Sequence, residues 1–210
     1  MSIERVEQLR SKLETSLNLV VQSLGEIQIG SVEQFPFGWR KAAKGRTVWR
    51  ILEEAITQNL EKSYQNYGFS SIKAADSEVG VYDFSGTVLD DDEKFYVNIK
   101  SAVIGSRTNK DDISKAQKLK EFFDEDINRK LFIATFLIKF NSNMTVLVIS
   151  AKVMPIMWLP DIYINPSNNG NLQSSKYKDI SSAIRRTNVD FFREFLQEME
   201  VAKKKRKQKS

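Results

Sequence analysis

Phe95-Tyr96-Val97-Asn98-Ile99-Lys100-Ser101 is an apolar run that turns polar at alternate positions near its end. Side chains of a strand alternate between faces, so Val97 and Ile99 share one side while Asn98 and Lys100 share the other. A lysine inside such a strand must deliver its ammonium to a polar place, because an unpaired charge is costly to bury. Fifteen residues before Asn98, the run Val79-Gly80-Val81-Tyr82-Asp83-Phe84 reads as another strand, ending on a carboxylate. Asp90-Asp91-Asp92-Glu93 lies between the two and reads as a solvated acidic turn. If the strands pair, Asp83 lies beside both Asn98 and Lys100.

The elements around this pair follow from spacing. Upstream, Phe69 to Ala74 predicts a strand, and Gly68 is placed to end a helix running from about Thr47 to Tyr67. Val6, Leu9, Leu13, Leu17, Val20, Val21 and Leu24 recur at three-four spacing, predicting an amphipathic helix over Ile3 to Leu24. Downstream, Ile113, Ala116, Leu119, Phe123 and Ile127 give helical spacing over 111–127. Leu131 to Phe140 and Thr145 to Met154 are apolar strands joined by the turn Asn141-Ser142-Asn143. Residues 160–177 read as a polar loop, and Val189, Phe191, Phe192, Phe195 and Leu196 mark a last helix. The order ααβββαββα predicts an α/β fold with a mixed central β-sheet flanked by helices. Nothing resembling a repeat or linker divides the chain. The expected organisation is a single domain over 1–202, with 1–30 as a helical N-terminal part and 203–210 as a disordered basic tail.

Composition restricts the chemistry. The chain has 210 residues, 41% hydrophobic and 28% charged, with neither cysteine nor histidine. Ser-His-Asp catalysis, His-ligated zinc, disulfides and thiol nucleophiles are thereby excluded. What remains is carboxylate, Lys, Tyr or Ser chemistry, or a hard cation on oxygen ligands. No run approaches the roughly 18 apolar residues of a membrane span, and the N-terminus lacks an apolar signal core. A cytoplasmic protein without a membrane partner is expected. The formal net charge is +5, and Lys203, Lys204, Lys205, Arg206, Lys207 and Lys209 more than account for it. Such a tail suits polyanion phosphates; a plain solvated end is its ordinary alternative.

Asp83, Asn98 and Lys100 suit metal-assisted phosphodiester hydrolysis. Mg²⁺ takes oxygen ligands, here Asp83, Asn98 and the backbone carbonyl of Ile99, while Lys100 orients the attacking water or stabilises the phosphate. The competing reading is an ordinary ion pair on a sheet surface.

This arrangement resembles the PD-(D/E)xK nuclease superfamily, and within it restriction endonucleases of the EcoRV type, from about Val48 to Phe195. The resemblance implies a restriction-endonuclease-like core in which a helix glutamate joins Asp83, Asn98 and Lys100 as catalytic residue and metal ligand. Glu54, fourteen residues before Gly68, fits that place, with Glu53 as its rival. Two positions depart from the motif: Tyr82, where Pro is frequent, and Asn98, where Asp or Glu is usual. A neutral amide leaves the site less negative and implies weaker metal affinity. The stretch holding Asn165, Ser167, Asn168, Asn169, Asn171 and Gln173 looks like the recognition loop of such enzymes, its amides suited to base edges. Lys176, Arg185 and Arg186 beyond it, and Arg107 and Asn109 after the catalytic strand, are candidates for DNA backbone contacts. The resemblance thus implies a bacterial or archaeal type II site-specific deoxyribonuclease. It would be a Mg²⁺-dependent homodimer on double-stranded DNA, with Leu9 to Leu24 either in the dimer contact or simply covering the sheet. A repair or nicking nuclease, and a catalytically inactive nucleic-acid-binding protein, are the alternatives.

Overall fold

A computed structural model describes residues 2–40, 44–76, 80–89, 93–105, 110–167 and 170–208, with 44–47 described by their backbone alone. In chain order the elements are α1 (Ile3–Leu24), β1 (Glu26–Gln28), α2 (Lys44–Ser63), β2 (Phe69–Ala74), β3 (Phe84–Val88), β4 (Lys94–Val103) and β5 (Asp111–Lys115). Then follow α3 (Ala116–Glu125), β6 (Lys130–Phe140), β7 (Thr145–Pro155), β8 (Tyr163–Ile164), β9 (Asn171–Ser174) and α4 (Asn188–Lys207). The main sheet has six strands in the order β1-β7-β6-β4-β3-β2, with β4 and β6 parallel and the other neighbours antiparallel. The fold is α/β around a mixed sheet. A second sheet, β5-β9-β8, stands beside it.

Two helices are anchored by what they bury. On α1, Val6, Leu9, Leu13, Leu17 and Val20 are buried at three-four spacing and join the core that β7 also lines. Each such side chain contributes about 1.5–3 kcal/mol of burial. Polar residues of α1 complete the contact: the Ala151 and Val153 amides of β7 donate to Asn18 Oδ1 (3.0 Å) and Glu14 Oε2 (2.9 Å). The helix therefore caps strand backbone that would otherwise lack partners. Its apolar stripe is spent on the sheet of its own chain, so the alternative of covering the sheet holds and that stripe is not a dimer contact. On α2, Leu52, Ile56 and Leu60 are buried. The helix tightens into a 3₁₀ turn and stops at Gly68, whose φ of 80° is left-handed and favours glycine.

Four expectations are corrected. The strand expected up to Phe84 starts there instead, with 80–83 as a bend ahead of it and 77–79 outside the described residues. Ser85-Gly86-Thr87 resembles a turn, but a Cβ at Gly86 would lie 2.3 Å from the Ser71 carbonyl oxygen, so the glycine permits a close backbone approach within a strand. The helix expected over 111–127 is β5 followed by α3, because Ile113 serves either periodicity and β9 supplies a partner for β5. The loop expected over 160–177 holds β8 and β9, with Leu172 and Ser174 turned inward. Finally, the basic residues through Lys207 are no disordered tail. They extend α4, where Met199 and Ala202 are buried and cations complement the C-terminal end of the helix dipole. Among the described residues no helix is long and apolar enough to cross a membrane.

Candidate active site

Asp83 sits where β2, β3 and β4 meet. Its N–H donates to the Val97 carbonyl (2.8 Å) and its carbonyl accepts from Ala75 N–H (2.8 Å). Its side-chain Oδ2 accepts from Ile99 N–H at 2.5 Å. The backbone thus fixes the residue on both sides, and one carboxylate oxygen is committed to β4. Ile99 contributes through its main chain, since its side chain is in the core. Asn98, 8% exposed, donates from Nδ2 to the Val81 carbonyl (3.0 Å). Its Oδ1 is buried with no hydrogen-bond partner among the described residues. Lys100 follows two residues on, on the same face of β4.

The helix carboxylate that joins them is Glu53, not Glu54. Burial and the neighbouring charge of Asp83 lift the Glu53 carboxyl to about 7, against Lys100 and Arg50, which pull it down. Glu54 is exposed and accepts from Gln58 Nε2 (2.7 Å) one turn along its own helix. Burial also raises the Asp83 carboxyl, opposed by the Ile99 N–H, Lys100 and Arg50. Burial pushes the Lys100 ammonium down, opposed by Asp83, Glu53, Asp112 and Asp111. Desolvation leads in all three, so the three groups form a buried cluster and not a surface ion pair. An open groove lined by Trp49, Arg50, Glu53, Glu54, Ala74, Ala75 and Asp83 gives access from solvent.

These residues fit a hard divalent cation. Two carboxylates raised by burial, Glu53 also by the charge of Asp83, and a buried amide oxygen without a donor among the described residues are the ligand types Mg²⁺ takes, and a cation would relieve both penalties. Among the described residues no three acidic side chains converge as a ready-made metal cluster. The site is charge-poor, as an amide at position 98 implies.

Of the DNA-binding candidates, Asn171 and Gln173 lie on β9 and both donate to Asp112, from Nδ2 at 3.0 Å and Nε2 at 2.6 Å. Asn165 Nδ2 donates to Gln173 Oε1 (3.4 Å), and Asn165 Oδ1 accepts from the Ser167 N–H (2.9 Å) and hydroxyl (2.8 Å). These four residues therefore form one network. Asn168, Asn169, Arg107 and Asn109 lie outside the described residues. Lys176 is exposed. Arg185 is exposed, pairs with Glu7 (3.5 Å) and lies over the Trp158 ring. Arg186 is corrected as a phosphate contact. It is 8% exposed, donates to the Leu159 carbonyl (2.6 Å) and pairs with Glu194 (3.4 Å). Its work is to hold α4 to the segment after β7.

Two residues of interest escaped the sequence, and Glu53 stood there only as the rival of Glu54, because the side of α2 that faces the sheet is a tertiary matter. Asp112 was absorbed into a helix, although Asp112-Ile113-Ser114 alternates as a strand does. Lys152 carries no local signal at all, yet pairing sets Lys100, Thr135 and Lys152 side by side across β4, β6 and β7. Its side chain is exposed, and the Thr135 hydroxyl between the two lysines is buried without a partner among the described residues.

No protein-family model matches the chain, and no curated protein matches it.

Proposed function

We propose that this chain is a Mg²⁺-dependent endonuclease of the type II restriction kind, hydrolysing phosphodiester bonds at a short sequence in double-stranded DNA. The observation that carries the reading is the cluster itself. Asp83 is pinned by Ile99 N–H beside Glu53 and Lys100, and next to Asn98 with its unmet oxygen. A fold of this class hosts many activities, so the argument rests on these residues and not on the sheet.

Asp83, Glu53 and the Asn98 oxygen are the residues that would hold the cation. When bound, it supplies a lowered pKa for the attacking water and neutralises charge on the phosphate. Lys100 brings a positive charge and an exchangeable proton to the same place. Burial loosens that proton, which suits a group that must give or take one. The amide network at Asn165, Asn171 and Gln173 offers donors and acceptors of the kind that read base edges. Lys152 adds a cation about 10 Å from Lys100, two strand spacings away, where a neighbouring backbone phosphate can lie. A homodimer suits palindromic sites, since each protomer then reads one half. The setting is a bacterial or archaeal cytoplasm.

The test is digestion of plasmid DNA with Mg²⁺, followed by mapping of fragment ends. Discrete fragments that vanish in Lys100→Ala support the reading. A smear would instead favour a repair or nicking nuclease. Absence of cleavage, with DNA still bound, would favour an inactive binding protein.

A further inference from the structure

Asp112 lies on β5 directly opposite Gln173 of β9. Its two carboxylate oxygens accept separately, Oδ2 from Asn171 Nδ2 and Oδ1 from Gln173 Nε2. A side-chain amide left in water presents its oxygen and nitrogen ends interchangeably. An ionised carboxylate only accepts, so both amides are fixed with nitrogen toward Asp112 and oxygen away from it. The Gln173 oxygen then accepts from Asn165, whereas the Asn171 oxygen is buried with no partner among the described residues. An acceptor in that state is costly, and an incoming N–H donor relieves the cost. The same Asp112 charge bears on Lys100, so this network borders the catalytic cluster.

We infer that Asp112 is the positioning residue of base readout, fixing Asn171 so that its unmet oxygen receives an exocyclic amino group of the target DNA, adenine N6 or cytosine N4, in the major groove. The inference rests on the nuclease reading above and adds to it the residue that sets specificity and the base chemistry it selects. Each amide keeps a second N–H for a base acceptor, so Asn171 can still engage adenine through both its atoms.

The experiment has two arms. In the first, wild type, Asp112→Asn, Asn171→Ala and a Ser114→Ala control digest a long linear double-stranded DNA with Mg²⁺. Cleavage rates are then compared on a duplex carrying the mapped site and on duplexes with one base pair changed. Asn at 112 must turn an N–H₂ against one of its two donors. The expected result is therefore a fall of about 5- to 150-fold in the ratio of mapped-site to changed-site cleavage, the range of one base contact. Asn171→Ala should give a fall of the same order, and Ser114→Ala none. A merely structural defect would lower both rates and leave the ratio alone.

In the second arm, which holds even if Asp112→Asn does not fold, adenine is replaced in the mapped site by purine, which lacks the 6-amino group, and cytosine by 2-pyrimidinone, which lacks the 4-amino group. At one position the loss should reach the same range for wild type and disappear for Asn171→Ala. An unchanged ratio in folded Asp112→Asn, or no position sensitive to amino-group removal, overturns the inference while leaving the nuclease intact. A wild type that produces no discrete fragments overturns the nuclease reading and the inference together.

Discussion

Glu53→Gln should stabilise the metal-free protein at neutral and alkaline pH while removing its cleavage. The wild-type carboxyl is lifted from 4.5 to about 7 by burial and by Asp83. At 1.36 kcal/mol per pKa unit, such a lift corresponds to about 3 kcal/mol of penalty on the charged form. The side chain is only half-buried, and solvent screening reduces this to roughly 1–2 kcal/mol. The folded pKa lies above the unfolded one, so the stability linked to this group is complete below about pH 4.5 and lost as pH rises through about 7. Glutamine carries no charge at any pH. The variant should therefore match wild type near pH 4 and exceed it by roughly 1–2 kcal/mol near pH 8. With a urea slope of about 2 kcal/mol/M, the midpoint moves up by about 0.5–1 M. The assay is urea unfolding in EDTA at both pH values, followed by fluorescence, alongside plasmid cleavage in Mg²⁺. Comparing the two proteins at each pH cancels the titration of groups remote from Glu53. Glu54→Gln, altering an exposed residue bonded to Gln58, should leave both readouts unchanged. Equal midpoints near pH 8, or a Glu54→Gln variant that reproduces either effect, would refute the assignment of Glu53.

Other consequences are as direct. Asp83→Ala should lose cleavage by at least about 100-fold, the order seen when one preorganised charge-stabilising group is removed, with near-native circular dichroism; cleavage at more than a few per cent of wild type would remove Asp83 from the site. Asn98→Asp should fold and cut at lower Mg²⁺ because it adds the missing negative charge, and a metal titration in which Asn98→Ala equals wild type would show that the amide is no ligand. Lys152→Ala should weaken DNA binding in Ca²⁺ and reduce the salt slope by about 1, without regard to sequence; an unchanged slope counts against a phosphate contact. Arg206→Ala removes the Nε–H bond to the Pro166 carbonyl (2.9 Å) that ties α4 to the turn between β8 and β9. That bond is worth about 1 kcal/mol, so proteolysis within 165–171 should accelerate roughly fivefold, and an unaltered digestion pattern would show that the turn stands by itself.

How far the sequence could be read depended on where each signal lay. The stripe of α1, the β-branched and aromatic runs of β6 and β7, and Gly68 before β2 are local features, and those elements appear within a residue or two of expectation. The same holds for Asp83, Asn98 and Lys100, because alternation along one strand already puts the last two on one face. Glu53 and Glu54 follow the buried Leu52 directly, both off its stripe, and the packing of α2 on the sheet alone decides between them. The β5-β9 pair joins polar strands about sixty residues apart, and neither half has an apolar alternation long enough to announce itself. Lys203 to Lys207 read as solvated because their charge overrode a weaker signal: Phe191, Phe195, Met199 and Ala202 continue a helical stripe into that segment.

The parallel pairing of β4 with β6 also sets an order in time. Glu53, Asp83, Asn98 and Lys100 all lie within the first hundred residues, yet β4 takes its second neighbour only from Lys130–Phe140, beyond β5 and α3. A nascent chain that has emerged from the ribosome only as far as α3 already holds every reactive group but lacks the strand that completes their sheet. Synthesis runs at about 5–20 residues per second, so that interval lasts a few seconds. Through it the carboxylates and the lysine are solvated side chains, and the cutting competence proposed above would arrive late in translation, with the fold.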